Sequence, residues 1–176
     1  GWGEPAGYSG HFIIDYQKDP CDFGTFHADS LFPGQTKIGH EKNIGIYIGF
    51  HVESHEQILV KAASSFTDRT GAERNLQQEI PHWNFDQTRK ELTAIWEKHL
   101  SAIEVETPDQ EAKEKFYGAF YRASFLPRTF NDVDGRYPAF AQQDSILQLA
   151  QNETYYDDFS MWDTYRALHP LINLLY

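Results

Sequence analysis

A chain of 176 residues with 40% hydrophobic and 15% aromatic side chains can bury one ordinary core, or parts of two, and is too apolar to be disordered. Its formal net charge of −11 argues against nucleic acid, because phosphate recognition needs clustered Lys and Arg, and against an anionic membrane surface. No apolar run approaches the roughly eighteen residues that a membrane insertion requires, and the lone Cys21 rules out an intrachain disulfide.

The opening residues Gly1-Trp2-Gly3-Glu4-Pro5 carry neither an initiator Met nor a signal-peptide pattern, and read as an internal cut or a processed end. The first third then reads as strands. His11 to Tyr16 puts Phe12, Ile14 and Tyr16 on one side. Asn43 to Phe50 alternates Ile44, Ile46, Ile48 and Phe50 against Gly45, Tyr47 and Gly49, and a third run spans Gln57 to Phe66. Pro33-Gly34 and Asp22-Phe23-Gly24 lie between them as turn signals. Short strands without interleaved helices predict antiparallel sheets in a sandwich.

After about Thr67 the period becomes helical. Asn84 can cap a helix with Gln87 closing a capping box, and Phe85, Leu92, Ile95, Trp96, Leu100 and Ile103 form its apolar stripe. Thr107-Pro108-Asp109-Gln110 starts a second helix, with Thr as cap and Pro in the first position. Ala112, Phe116, Ala119, Phe120 and Ala123 are its buried stripe, and Pro127 ends it. Arg128 to Asp158 is weakly periodic, with a tight turn at Asp134-Gly135. A third helix begins at Ser160 and bends near Pro170. A β-rich piece therefore precedes the opening helices of an all-α piece, with a boundary near residues 67 to 83. The apolar pattern is still running at Tyr176, so the chain reads as truncated.

Trp162, Asp163 and Arg166 fall within five positions at a helix start. They supply an aromatic face, an acceptor pair and a donor fork, the groups that hold a hydroxylated ligand. The same residues fit a plain helix start, with Asp163 in a capping box with Ser160, Arg166 one turn on as its ion-pair partner, and Trp162 as core. Sequence physics leaves both readings open. Asp132-Val133-Asp134-Gly135 begins like a calcium loop, but Ala141 stands where the closing Glu belongs, and it reads as a turn. His51 and His55 follow a strand in an order unlike the zinc-protease helix, and the other histidines have no metal spacing. Asn152-Glu153-Thr154 matches the glycosylation triplet. No catalytic or metal-binding residue is assigned on these grounds.

Several blocks in order resemble glycoside hydrolase family 92, the calcium-dependent exo-acting α-mannosidases. They are Val60-Lys61-Ala62-Ala63-Ser64-Ser65-Phe66 with Ala72-Glu73-Arg74-Asn75-Leu76 and Glu79-Ile80-Pro81; Trp83-Asn84-Phe85-Asp86 with Trp96; Phe116 to Arg122; Asn131 to Tyr137; and Phe159 to Leu171. The resemblance implies two domains. Residues 1–66 would be part of an N-terminal β-sandwich, 67–83 a junction, and 84–176 the start of an (α/α)6 barrel catalytic domain. It implies inverting hydrolysis of terminal α-linked mannose, for example α-1,2, from glycans, in a periplasmic or secreted enzyme. Trp162, Asp163 and Arg166 would then bind the terminal mannose. The acid, the base and most calcium ligands would lie in the remainder of the same enzyme. The alternatives are a trehalase-like or α-glucosidase enzyme on the same barrel, since those also carry a Trp-Asp pair like Trp162-Asp163, or a non-catalytic carbohydrate-binding module.

Overall fold

The structure is a computed structural model that describes residues 9–39, 42–139, 142–158 and 160–176. The amino-terminal end read above as a cut, His40, Ala141 and Phe159 of the last block lie outside those residues. The chain divides into two compact units, residues 14–62 and the remainder.

Five strands come first: β1 His11–Tyr16, β2 Asp22–His27, β3 Ser30–Pro33, β4 Ile44–Gly49 and β5 Val60–Ser65. β1 pairs with β5, and β2 lies between β3 and β4 in an antiparallel three-stranded sheet. Alternation locates β1, β4 and β5, but β2 and β3 are an addition. Asp22-Phe23-Gly24 is the start of β2 rather than a turn. Gly24 serves close approach, because a Cβ there would lie 2.5 Å from the Phe32 carbonyl and 2.6 Å from the Tyr47 ring. Gly45 makes the same room for Phe26, its partner across the ladder, whose ring would stand 2.3 Å from a Cβ. Both glycines let an aromatic ring come close to backbone. Glycine in this sheet is thus packing chemistry, easily mistaken for punctuation.

The other unit holds α1 Arg69–Glu79, α2 Phe85–Leu100, α3 Gln110–Ala123, β6 Arg128–Thr129, β7 Arg136–Ala139, β8 Gln142–Gln148, β9 Tyr156–Asp157, α4 Met161–Thr164 and α5 Leu168–Leu175. α1 occupies most of the segment read as a junction. Its N-cap Asp68 accepts from the Gly71 N–H at 2.6 Å. α2 begins where expected, the Gln87 N–H donating to Asn84 Oδ1 at 3.0 Å. The reciprocal half of the box is absent, because the Gln87 amide donates to Glu91 instead, at 2.8 Å.

Two expectations are corrected. α3 starts after Asp109, not after Thr107, and the Asp109 carboxylate accepts from the Ala112 N–H at 3.0 Å. A charged cap also complements the positive helix end, which a Thr hydroxyl does not. The terminal helix does not bend at Pro170 but breaks at residues 165–167 into α4 and α5. Pro170 then sits in the first turn of α5, where its missing N–H costs nothing. In one continuous helix its ring would meet the carbonyl of Arg166.

Among the described residues the buried apolar core is only Ala72, Leu76 and Phe120. Trp96 joins α2 to α3 through Tyr121 and Phe125, with ring centroids at 4.4 and 5.9 Å. Tyr117 clasps the connection between these helices, donating to the Ile103 carbonyl at 2.9 Å and accepting from the Val105 N–H at 3.2 Å. The expected stripe of α2 is not buried: Phe85, Leu92 and Ile95 are more than half exposed.

Candidate functional site

Residues 160–164 of the terminal block form a single outward-facing turn. Thr164 is buried beneath it and is held on two sides, its hydroxyl bonding the Ser160 carbonyl at 2.5 Å and His169 Nε2 at 2.9 Å. Above this anchor Trp162 is 86% exposed, so it is not part of the core of the described residues. Asp163 is exposed beside it and accepts from the Ser160 hydroxyl at 2.5 Å. This is not the capping box, since the Ser160 side chain makes no bond to a backbone N–H. Nor does Arg166 reach Asp163. Its Nε donates to the Tyr165 hydroxyl at 2.8 Å, with the guanidinium carbon 5.7 Å from that ring's centroid. The turn thus brings Trp162 and Asp163 together at the surface and turns Arg166 to a neighbouring ring.

A second cluster escaped the sequence reading. Asp132, 4% exposed, accepts from Ser65 Oγ at 2.8 Å, from the Thr67 hydroxyl, and from Asn75 Nδ2 at 2.8 Å. Asn75 also donates to the Ser64 carbonyl at 2.9 Å and accepts from the Val133 N–H at 3.0 Å. A buried carboxylate is tolerable only when its lone pairs are filled, and here three donors fill them. Gly71 leaves the space: a Cβ there would lie 2.4 Å from Asp132 Oδ2, 2.6 Å from Ser65 Oγ and 2.7 Å from Thr67 Oγ1. Asp134-Gly135 does form a turn next to this cluster, with Gly135 at φ +81°.

Around the cluster an ion-pair ladder ties α1 to the same loop. Arg136 Nη1 donates to Asp68 Oδ2 at 2.8 Å and its Nε to Asp134 Oδ2 at 2.9 Å, while Arg74 Nη2 stands 3.0 Å from Asp134. The Arg136 hydrogen bond, then the Gly71 N–H, hold the Asp68 carboxyl below its ordinary value of 3.8. A depressed carboxyl stabilises the fold fully above its unfolded pKa, and that contribution is lost as pH falls through the folded value. Arg136→Met should therefore be less stable than the parent near neutral pH, with the gap narrowing below about pH 4. Urea unfolding across that range checks it, and a gap independent of pH would contradict it.

The carboxylates of this cluster do not suit calcium. Asp132 is filled by hydroxyl and amide hydrogens, and Asp134 is taken by two guanidinium groups. Among the described residues no three His, Cys, Asp or Glu side chains gather to share a metal ion. His51 and His55 are exposed in the loop between β4 and β5.

The family model of the glycosyl hydrolase family 92 catalytic domain matches residues 71–176, more than half of the chain. An inverting mannosidase of family 92 from Bacteroides thetaiotaomicron VPI-5482 is similar in structure, with a TM-score of 0.84 and 25% identity over 96% of this chain and 22% of that one. A family 92 α-mannosidase from Bacteroides thetaiotaomicron gives 0.82 and 30% identity over 94% of this chain and 23% of that one. The same α-mannosidase in complex with mannoimidazole gives 0.81 and 29% identity over 94% of this chain and 22% of that one. No curated protein matches. The chain spans under a quarter of the length of these solved structures. On the strength of the matched domain, the chain belongs to glycosyl hydrolase family 92.

Proposed function

We propose that this segment is part of an inverting, calcium-dependent, exo-acting α-mannosidase that removes terminal α-linked mannose, α-1,2-linked mannose included, from glycans. The observation that carries the site is the exposed pair Trp162 and Asp163 on a turn anchored by buried Thr164. A carboxylate can accept from two vicinal sugar hydroxyls, and an indole beside it forms an apolar wall for the pyranose. Asp163 then exchanges the Ser160 hydroxyl for those of the sugar, and Arg166 leaves the Tyr165 hydroxyl to donate to the ligand or to orient Asp163. Similarity to mannosidases, one of them holding mannoimidazole, supports mannose as the sugar.

Inversion needs one carboxylic acid to protonate the leaving oxygen and one carboxylate to activate water from the opposite face. Both belong to the remainder of the enzyme, as do most of the calcium ligands. The strands of residues 1–66 would complete a β-sandwich there, and the helices of 84–176 an (α/α)6 barrel. The exposed stripe of α2 supports this, because so much apolar surface marks a packing face. A periplasmic or secreted location suits a glycan substrate. In the test, the full-length protein is given an α-1,2-mannobioside and the first-released anomer is read by NMR. β-Mannose is expected, abolished by a chelator and restored by calcium. Release of the α-anomer, or chelator-resistant cleavage of an α-glucoside such as trehalose, refutes the reading.

A further inference from the structure

Between the buried carboxylate and the exposed turn runs an unbroken series of short contacts. Asn131, next to Asp132, accepts from the Tyr155 N–H at 2.9 Å, and the Phe130 N–H donates to the Tyr155 carbonyl at 2.8 Å. Tyr155 also stacks on Tyr137, with centroids 4.3 Å apart. The next two residues pair with β6, Tyr156 opposite Thr129 and Asp157 opposite Arg128, and Arg128 then bonds the Asp158 carboxylate. The Asp158 carbonyl accepts from the Ser160 N–H at 3.1 Å. Ser160 in turn holds Asp163 through its hydroxyl and accepts from the Asp163 and Thr164 N–H groups at 3.2 and 3.0 Å. α4 has only four residues, too few to keep its shape without outside support. On this side α4 is joined to that series through Ser160.

We propose that Asp132 is a positioning residue: by filling its lone pairs from β5, the β5–α1 connection and α1, it fixes loop 130–133, and that loop fixes the strand leading into Trp162 and Asp163. The idea rests on the sugar-gripping reading of that turn only for its effect on activity. Its mechanical part stands apart. Asp132 is over-determined, so the loop has one position, and the tether at Asn131 passes that single position to residues 155–158 and to Ser160. Filling by Ser65, Thr67 and Asn75, which lie 57 to 67 residues away in sequence, ties the turn to the opposite end of this unit.

The experiment is hydrogen exchange on the full-length protein with Asp132→Asn, which keeps the shape but places an amide where a carboxylate accepted three donors. Amides of residues 155–164 should exchange at least tenfold faster, with α2 unchanged. Asn131→Ala, which spares the buried cluster, should loosen the same stretch. Should Asp132→Asn fail to fold, Ser65→Ala removes one donor and serves in its place. Faster exchange confined to residues 64–76 overturns the proposal. For activity, Asp132→Asn should raise KM for an α-mannoside about tenfold with kcat changed less. Added to Asp163→Ala it should cost nothing further, because coupled residues are non-additive. Losses that multiply overturn the proposal. An Asp163→Ala enzyme of full activity would instead refute the sugar site, and exchange at 155–164 would still decide the positioning role.

Discussion

Replacing Gly71 with Ala should lower folding stability by about 2–4 kcal/mol, against the usual trend for helices. Inside a helix Ala is ordinarily better than Gly by about 1 kcal/mol, since Gly has more backbone freedom to lose. At Gly71 the new methyl meets three oxygens at 2.4, 2.6 and 2.7 Å, all below a tolerable Cβ contact. None is the loose end of a flexible chain, because Asp132, Ser65 and Thr67 hold one another. Making room means breaking at least one of those bonds around a buried carboxylate, at about 1–3 kcal/mol, on top of the overpacking itself. The steric and polar costs exceed the helix gain. Gly118 supplies the internal control: it lies mid-helix, and its Cβ would meet the Arg122 guanidinium at 3.5 and 4.0 Å, so Gly118→Ala should stabilise by about 0.5–1 kcal/mol. Urea unfolding of the two variants side by side should give opposite signs. A Gly71→Ala protein as stable as its parent would mean that the buried cluster is not packed as described.

What the amino-acid sequence makes legible is what depends on near neighbours. Alternation over six residues marks β1, and an Asn followed three positions later by a Gln marks the start of α2. Both are set by backbone geometry within one or two turns. Local rules fail where two local signals compete, as at Thr107 and Asp109, either of which can cap α3. They fail again where a residue has a non-local reason to be present. Gly24 looks like a turn residue and is instead the floor under Tyr47, as Gly45 within its strand is under Phe26. Asp132 looks like part of a turn, and its backbone is, the carbonyl accepting from the Gly135 N–H at 2.8 Å; its side chain's donors come from Ser65, Thr67 and Asn75, and no periodicity joins positions so far apart. Asn75 and Gly71 gave one faint signal: polar Asn on the inward side of a helix next to Leu76 needs a partner. By sequence Trp162 suits either core or a ligand face, and its exposure excludes the core within the described residues.

Asp163→Ala in the full-length enzyme should lower kcat/KM for an α-mannoside by a factor of about 10²–10⁴ while leaving stability within about 0.5 kcal/mol. The two numbers come from different partners of one carboxylate. In this structure the side chain is exposed, and among the described residues its hydrogen bond is to the Ser160 hydroxyl, which can turn to water when the carboxylate is removed. That loss is small. A sugar is another matter, since two hydroxyls donating to a carboxylate contribute about 1.5–3 kcal/mol each. Losing both gives the activity range stated. Trp162→Ala should behave alike in kind, because an indole 86% exposed supports little of the fold and its removal costs mainly the wall against the ligand. Ser160→Ala separates the two roles of Asp163. If the carboxylate exists for Ser160, this variant and Asp163→Ala match in thermal stability and both keep full activity. If it exists for the sugar, Ser160→Ala frees Asp163 for its ligand and stays active, and only Asp163→Ala is silenced. Equal activity in the two variants would leave Asp163 as a partner of its own helix turn and nothing more.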